Sequence, residues 1–144
     1  MDGVTYEKGN SHGVNGGARV DKQAGDKKTI LIFSPDLNLC FSLFMLFQDR
    51  FHVVTTTNLA TVVSLAVEHT ADLLIVDAVP SERLISTLDS LKSVRGCLPV
   101  IMLYVYNTRE AALDRTIREH VDSVFYKPVE ISAVSGRIER LLAV

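Results

Sequence analysis

The segment ADLLIVDAVP, residues 71–80, is an apolar run that ends on a carboxylate and is then broken by a proline. Apolar residues at successive positions, rather than at every second one, indicate a strand that is buried on both faces. A charged group at the end of such a strand is costly to bury unless another group uses or neutralises it. Asp77 is therefore the residue around which we expect a site.

Short apolar runs alternate with amphipathic segments from Thr29 to the C-terminus. The five runs predicted as strands are TILIF (29–33), HVVTTT (52–57), DLLIVD (72–77), LPVIMLY (98–104) and DSVFY (122–126). Helical spacing of apolar residues predicts helices at 36–50, at 58–70, after Ser81, at 108–120 and at 130–142. This alternation predicts an α/β fold, a doubly wound parallel sheet of five strands with helices on both faces.

The chain divides at about residue 28. Residues 1–28 contain six of the eight glycines and no Leu, Ile or Phe, so they cannot bury enough apolar surface to offset the entropy of ordering. We predict a flexible N-terminal tail over 1–28 and one folded domain over 29–144, a length that suits a single hydrophobic core.

Composition excludes several classes of function. The net charge of −2 and the absence of a long Lys and Arg run give no basic surface for nucleic acid. The sequence shows no membrane span and no apolar block typical of a secretory signal. Cys40 and Cys97 lack the spacing of a metal site, and we expect them to be buried thiols in a reducing cytoplasm.

In a doubly wound sheet, reactive groups lie beyond the carboxyl ends of the strands. The residues at these ends are Ser34, Pro35, Asp36, Asp77, Tyr104, Lys127 and Pro128. A carboxylate beside a lysine can act as a nucleophile whose product charge the lysine stabilises. The same two residues can equally form a structural ion pair, or Pro128 can simply open the last helix with Lys127 on the surface.

The segment from about Lys27 to Val144 resembles the receiver domain of two-component response regulators, in TILIFSPD, ADLLIVDAVP, LPVIMLY and VFYKPV, in that order. The resemblance implies a flavodoxin-like sheet with strand order 2-1-3-4-5. It also implies transfer of a phosphoryl group from a histidine kinase or a histidine phosphotransfer protein to Asp77. Lys127 would stabilise charge, Mg²⁺ would be the cofactor, and the Lys127-Pro128 bond would be cis. Such a domain is no conventional enzyme and at most catalyses its own phosphorylation and dephosphorylation.

The acidic pocket departs from the pattern of this family. Ser34 and Pro35 occupy the positions at which receivers usually carry two acidic residues that hold the metal. Asp36 comes one position late, and it either joins Asp77 as a metal ligand or caps the first helix. The resemblance therefore implies a weakened or absent Mg²⁺ site.

The switch positions depart as well. Tyr104 follows the fourth predicted strand where receivers carry a small Thr or Ser, and a phenol places its hydroxyl farther from the backbone. The aromatic switch position falls on Val124, next to Phe125 and Tyr126. We expect an atypical receiver in which the usual switch does not operate unchanged.

Three functions stay open at this point. The first is a receiver phosphorylated on Asp77 that signals through protein contacts. The second is a pseudo-receiver, a protein-interaction module that takes no phosphoryl group. The third, a flavin- or nucleotide-binding domain, is disfavoured because the loop SPDLN lacks the Gly, Ser and Thr residues that cradle phosphate.

The first predicted helix is apolar around most of its circumference, which indicates either deep burial or a contact surface. We expect a partner, or a second copy in a homodimer, to meet its apolar surface at Phe41, Phe44 and Phe47. The fourth predicted helix has mixed charges typical of a solvated face, at Arg109, Glu110, Asp114, Arg115, Arg118 and Glu119.

Overall fold

A central sheet lies between two layers of helices in the computed structural model, which describes residues 3–5 and 27–143. The strands are β1 (Gly3–Thr5), β2 (Thr29–Phe33), β3 (His52–Thr56), β4 (Leu73–Asp77), β5 (Val100–Tyr104) and β6 (Ser123–Tyr126). The helices are α1 (Leu37–Phe47), α2 (Val62–Glu68), α3 (Glu82–Val94), α4 (Ala111–Arg118) and α5 (Ile131–Leu142). Single 3-10 turns, Leu59–Thr61 and Thr108–Glu110, lead into α2 and α4.

The strands lie in the order β1-β3-β2-β4-β5-β6. Strands β2 to β6 are the five predicted strands, and they pair with one another in parallel. This is the predicted order 2-1-3-4-5, so the doubly wound, flavodoxin-like fold is confirmed. Within the sheet, β2 and β4 are direct neighbours, whereas β5 lies between β4 and β6.

A sixth strand extends the sheet at its β3 edge. Gly3–Thr5 pairs antiparallel with β3, with Val4 opposite Thr55. Residues 3–5 of the predicted flexible tail over 1–28 thus form a strand, while 1–2 and 6–26 lie outside the described residues. Pairing with an open sheet edge requires backbone hydrogen bonds and not an apolar core sequence, which explains why composition did not reveal this strand.

Each face of the sheet carries its own hydrophobic core. Leu31, Val54, Leu74 and Met102 point to the face that α2, α3 and α4 cover. Alternate residues of the same strands, such as Ile30 and Ile75, point to the face that α1 and α5 cover. All five residues of each of the strands β2, β4 and β5 are buried, as continuous apolar strands require.

Two aspartates tie the amino ends of the strands together. The Asp72 carboxylate accepts a hydrogen bond of 2.8 Å from the Thr29 backbone N–H, and the Asp122 carboxylate accepts one of 2.7 Å from that of Val100. The first bond fixes the register of β2 against β4, and the second fixes that of β5 against β6. Within the described residues, no helix has the length and apolar character that a membrane crossing needs.

Candidate functional site at the carboxyl edge of the sheet

Asp77 is the last residue of β4, and it is held from two sides. Its Oδ1 lies 2.5 Å from Nζ of Lys127, and its Oδ2 accepts a hydrogen bond of 2.7 Å from the Ser34 hydroxyl. The Asp77 side chain is 7% exposed, whereas that of Lys127 is 36% exposed. Both carboxylate oxygens thus have a close donor inside the protein.

The strand order explains how these three residues meet. Ser34 directly follows β2, the neighbour of β4, so its short side chain reaches Asp77 without a detour. Lys127 follows β6, two strands away, and its long side chain crosses the end of β5 to reach the carboxylate. The Lys127 backbone N–H donates to the Tyr104 carbonyl over 2.9 Å, which anchors the base of the lysine. The Lys127-Pro128 peptide bond is cis.

The Ser34 hydroxyl is fully engaged. It donates to Asp77 and accepts a hydrogen bond of 3.0 Å from the Asp36 backbone N–H, while Ser34 itself is completely buried. Its backbone is also fixed, because the Ser34 N–H donates to the Thr56 carbonyl over 3.1 Å. Ser34 is therefore part of the site as a donor, a role that the sequence reasoning did not assign to it.

Asp36 caps α1. Its Oδ1 accepts a hydrogen bond of 2.9 Å from the Asn38 backbone N–H, and the residue is solvent-exposed. The cap was one of the two roles that the sequence left open for Asp36, and the structure shows it. The second role, as a metal ligand beside Asp77, is not supported by this geometry.

The donor set is a poor fit for Mg²⁺, which needs near-octahedral oxygen ligands and is usually held by one or two carboxylates together with phosphate and water. Asp77 already uses both oxygens, and Asp36 uses one on the helix cap. Across the described residues, no three His, Cys, Asp or Glu side chains gather closely enough to hold a metal ion.

Tyr104, at the end of β5, turns toward α4 and not toward Asp77. Its hydroxyl donates to Oδ1 of Asp114 on α4, and both residues are buried. The Tyr126 hydroxyl donates to the same oxygen over 2.9 Å, and the Arg118 guanidinium donates to Oδ2 over 3.2 Å. We name Tyr104, Tyr126, Asp114 and Arg118 the tyrosine cluster.

The geometry of the tyrosine cluster is tight. The rings of Tyr104 and Tyr126 meet edge to face at 5.5 Å between centroids, and Tyr106 packs on Tyr126 at 5.2 Å. Arg118 also donates to the Tyr126 hydroxyl over 2.5 Å, and this bond, followed by Asp114, raises the pKa of Arg118. The cluster joins β5, β6 and α4 into one unit.

Asp114 was predicted to lie on a solvated helix face, and this prediction is wrong. It precedes Ile117 by three positions, so it shares the buried face of α4. Of the predicted switch residues, Val124 packs against the core beneath α2 to α4 and Phe125 packs against the opposite core. Tyr126 supplies the aromatic ring next to Tyr104. The sequence signal for this role of Asp114 was the presence of two tyrosines at neighbouring strand ends, whose hydroxyl groups need a hydrogen-bond acceptor where they are buried.

The predicted contact surface of α1 requires a correction. Phe44 and Phe47 are 8% and 1% exposed and belong to the core, because their positions on the helix face the sheet. Phe41 is 50% exposed, as expected for a surface residue. The large apolar residues of α1 on the surface are Leu37, Phe41, Met45 and Leu46.

The two cysteines differ. Cys40 lies buried on α1, with its thiol 3.6 Å from the Ser34 carbonyl oxygen, and burial, together with the nearby Asp77 and Asp36, raises the pKa of this thiol. Cys97 is exposed in the turn between α3 and β5, so the expectation that it is buried is wrong.

No family model matches the chain, and no curated protein matches it. Solved structures do. A pilus assembly-related protein of Burkholderia pseudomallei is 22% identical, with a TM-score of 0.67 over 81% of this chain and 90% of that chain. A two-component response regulator of Clostridium difficile is 16% identical, with a TM-score of 0.69 over 81% and 97%. A CheY-like receiver domain protein of Methanospirillum hungatei is 18% identical, with a TM-score of 0.69 over 81% and 94%. The chain has the receiver fold, as its sequence resemblance implied.

Proposed function

We propose that this chain is a receiver-type signalling domain that works through protein–protein contacts, without a phosphorylation-driven switch. The observation that carries the proposal is the hydrogen bond from Tyr104 to the buried carboxylate of Asp114. This bond commits the residue at the end of β5 to α4, so it is not available to sense the state of Asp77.

The energy of this commitment is the main argument. A hydrogen bond to a charged group contributes roughly 1.5–3 kcal/mol, and Asp114 is buried, so its loss is not replaced by water. Coupling free energies between sites in allosteric proteins are typically about 1–3 kcal/mol. Release of Tyr104 from Asp114 would therefore require most or all of the coupling free energy that a signal at Asp77 could supply.

The tyrosine cluster also prepares a contact surface. Tyr126 and Tyr106 are 36% and 41% exposed, and the Arg118 side chain is 47% exposed. Tyrosine and arginine are enriched among the residues that dominate binding energy at protein interfaces. Because Asp114 holds Arg118 and Tyr126 in fixed orientations, a partner would not have to bear the entropy of ordering them.

One structural neighbour is described as pilus assembly-related, which supports a role in assembly by contact for a domain of this fold. The proposal places the domain in the cytoplasm, where the exposed thiol of Cys97 stays reduced.

The test is an amide NMR spectrum of the ¹⁵N-labelled full chain, recorded before and after addition of Mg²⁺ and beryllium trifluoride, a mimic of an acyl phosphate. We expect the amide signals of Tyr104, Asp114, Arg118 and Tyr126 to stay in place. Asp77→Asn is the matched control, because it removes the acceptor and preserves the shape of the side chain.

A second candidate function is phosphoryl acceptance on Asp77 from a histidine kinase or a phosphotransfer protein. The 2.5 Å contact between Asp77 and Lys127 favours it, since the ammonium group can neutralise charge that develops on a phosphoryl group. An Asp77 oxygen would form the new O–P bond while the N–P bond of a phosphohistidine breaks and its electron pair stays on the imidazole. Saturable amide shifts across α4 in the same experiment, lost in Asp77→Asn, would establish this function in place of the first.

A further inference from the structure

The Asp77 carboxylate is neutralised and hydrogen-bonded by protein groups without a cation. Asp77 contributes one negative charge, and Lys127 neutralises it across 2.5 Å. The remaining carboxylate oxygen accepts the Ser34 hydroxyl, which itself is held in place by the Asp36 backbone N–H. Every polar atom of this small group therefore has a partner within the protein.

We infer that Ser34 and Lys127 together replace a divalent cation at Asp77, and that Ser34 is the residue that keeps such a cation out. The hydroxyl occupies the side of the carboxylate that faces the β2 loop, and Lys127 occupies the other side. A cation that binds Asp77 would have to share a carboxylate oxygen with one of these two donors or displace that donor.

Charge makes the displacement unfavourable. A divalent ion beside the Asp77–Lys127 pair would bring two positive charges into a pocket whose carboxylate is already neutralised, where the low dielectric strengthens repulsion from Lys127. The nearest other carboxylate in the β2–α1 loop is that of Asp36, and it is held by the cap of α1. Turning Asp36 toward the pocket would expose the unpaired N–H groups of the first helical turn.

The Ser34 hydroxyl is also a poor ligand for a cation at Asp77. It would have to turn its proton away from Asp77 while it still accepts from Asp36. A buried hydroxyl has no water to replace the bond that it gives up, because Ser34 is completely buried. This inference rests on the proposed function, in which the domain works without a phosphorylation-driven switch at Asp77.

The experiment is a titration of the full chain with Mn²⁺ alone, followed by paramagnetic broadening of the amide signals of Asp77, Ala78 and Lys127. For the wild-type protein we expect no selective broadening at millimolar Mn²⁺. Ser34→Asp supplies a second carboxylate beside Asp77, and we expect it to bind Mn²⁺ more tightly by about tenfold or more. The same variant should unfold at a lower temperature without metal and regain stability when Mg²⁺ is added.

Ser34→Asn is the matched control, since it has nearly the same size and shape as Ser34→Asp but adds no charge, and we expect no gain in metal binding. Saturable broadening around Asp77 in the wild-type protein would overturn the inference, and so would a folded Ser34→Asp variant that fails to gain affinity. If Ser34→Asp does not fold, the wild-type titration decides alone. Because this titration contains no beryllium trifluoride, its failure leaves the position of Tyr104 untouched and is distinguishable from failure of the proposed function.

Discussion

Replacing Lys127 with methionine should destabilise the domain by about 2–4 kcal/mol. Removal of one partner from a buried ion pair typically costs about 3–5 kcal/mol, because the other charge is left uncompensated. Asp77 meets this condition, since its side chain is 7% exposed. The expected loss is smaller than this typical range because Lys127 is partly exposed and because the variant keeps the hydrogen bond from Ser34 to Asp77. Methionine preserves the length of the side chain across the end of β5.

The converse substitution, Asp77→Asn, should cost less than about 1 kcal/mol. Lys127 is 36% exposed, so its ammonium group can turn to water once its partner is gone. The asparagine keeps an oxygen that can accept from Ser34. The two single variants therefore remove the same ion pair but should differ in stability by a clear margin.

Urea unfolding followed by circular dichroism measures both effects, with the free energy extrapolated to water and the slopes compared for equal exposure on unfolding. The full chain should be used throughout. Equal losses in Lys127→Met and Asp77→Asn would refute the reasoning, because they would mean that the pair behaves as a solvent-exposed salt bridge. A loss below about 1 kcal/mol in Lys127→Met would do the same.

Three further predictions concern other parts of the molecule. Tyr104→Phe should lower the free energy of unfolding by about 1–3 kcal/mol, because it removes a donor from buried Asp114 and keeps the ring. Tyr106→Phe, at an exposed tyrosine, should change this free energy by less than about 0.5 kcal/mol. A similar effect of both variants would contradict the role of Tyr104 as a donor in the tyrosine cluster. A maleimide should label Cys97 but not Cys40 in the native protein, since burial raises the pKa of the Cys40 thiol above its ordinary value of 9.0, and mass spectrometry with and without urea checks the labelling. Because the folded state disfavours the buried thiolate, the free energy of unfolding should fall as the pH rises beyond that value and the unfolded thiol ionises. Deletion of residues 1–5 should speed amide exchange along β3 but not in the central strand β4, because β3 is the strand with which β1 pairs in the described part of the chain. Unchanged exchange in β3 would show that β1 does not protect it.

The fold could be predicted from the sequence because its signals are local and repeated. Each of the five parallel strands is a short apolar run, and each is followed by a segment with helical spacing. The strand β1 could not be predicted in this way. GVT has no periodicity, and its pairing depends on an edge of β3 that exists only once the sheet has formed.

The site was partly predictable. Asp77 and Lys127 follow predicted strands, so their meeting at one edge of a parallel sheet follows from topology alone. The roles of Ser34 and Asp114 depend on which way a hydroxyl or a carboxylate points, and one sequence does not contain that information. The same limit explains the error at Phe44 and Phe47, since an almost wholly apolar helix hides which side faces the sheet.

A buried strand can end on a carboxylate if that carboxylate links elements whose relative positions along the strand direction are not fixed by hydrophobic packing. Apolar side chains fill the two cores but specify the register between neighbouring strands only weakly, because dispersion contacts are not directional. Asp77 bonds to the residue after β2 and to the residue after β6, so it links the carboxyl ends of β2, β4 and β6. Asp114 does the same for β5, β6 and α4. We therefore expect Asp77→Asn to alter the amide shifts of Ser34 and Lys127 more than it alters global stability, and the unfolding and NMR measurements on the same variant compare the two directly.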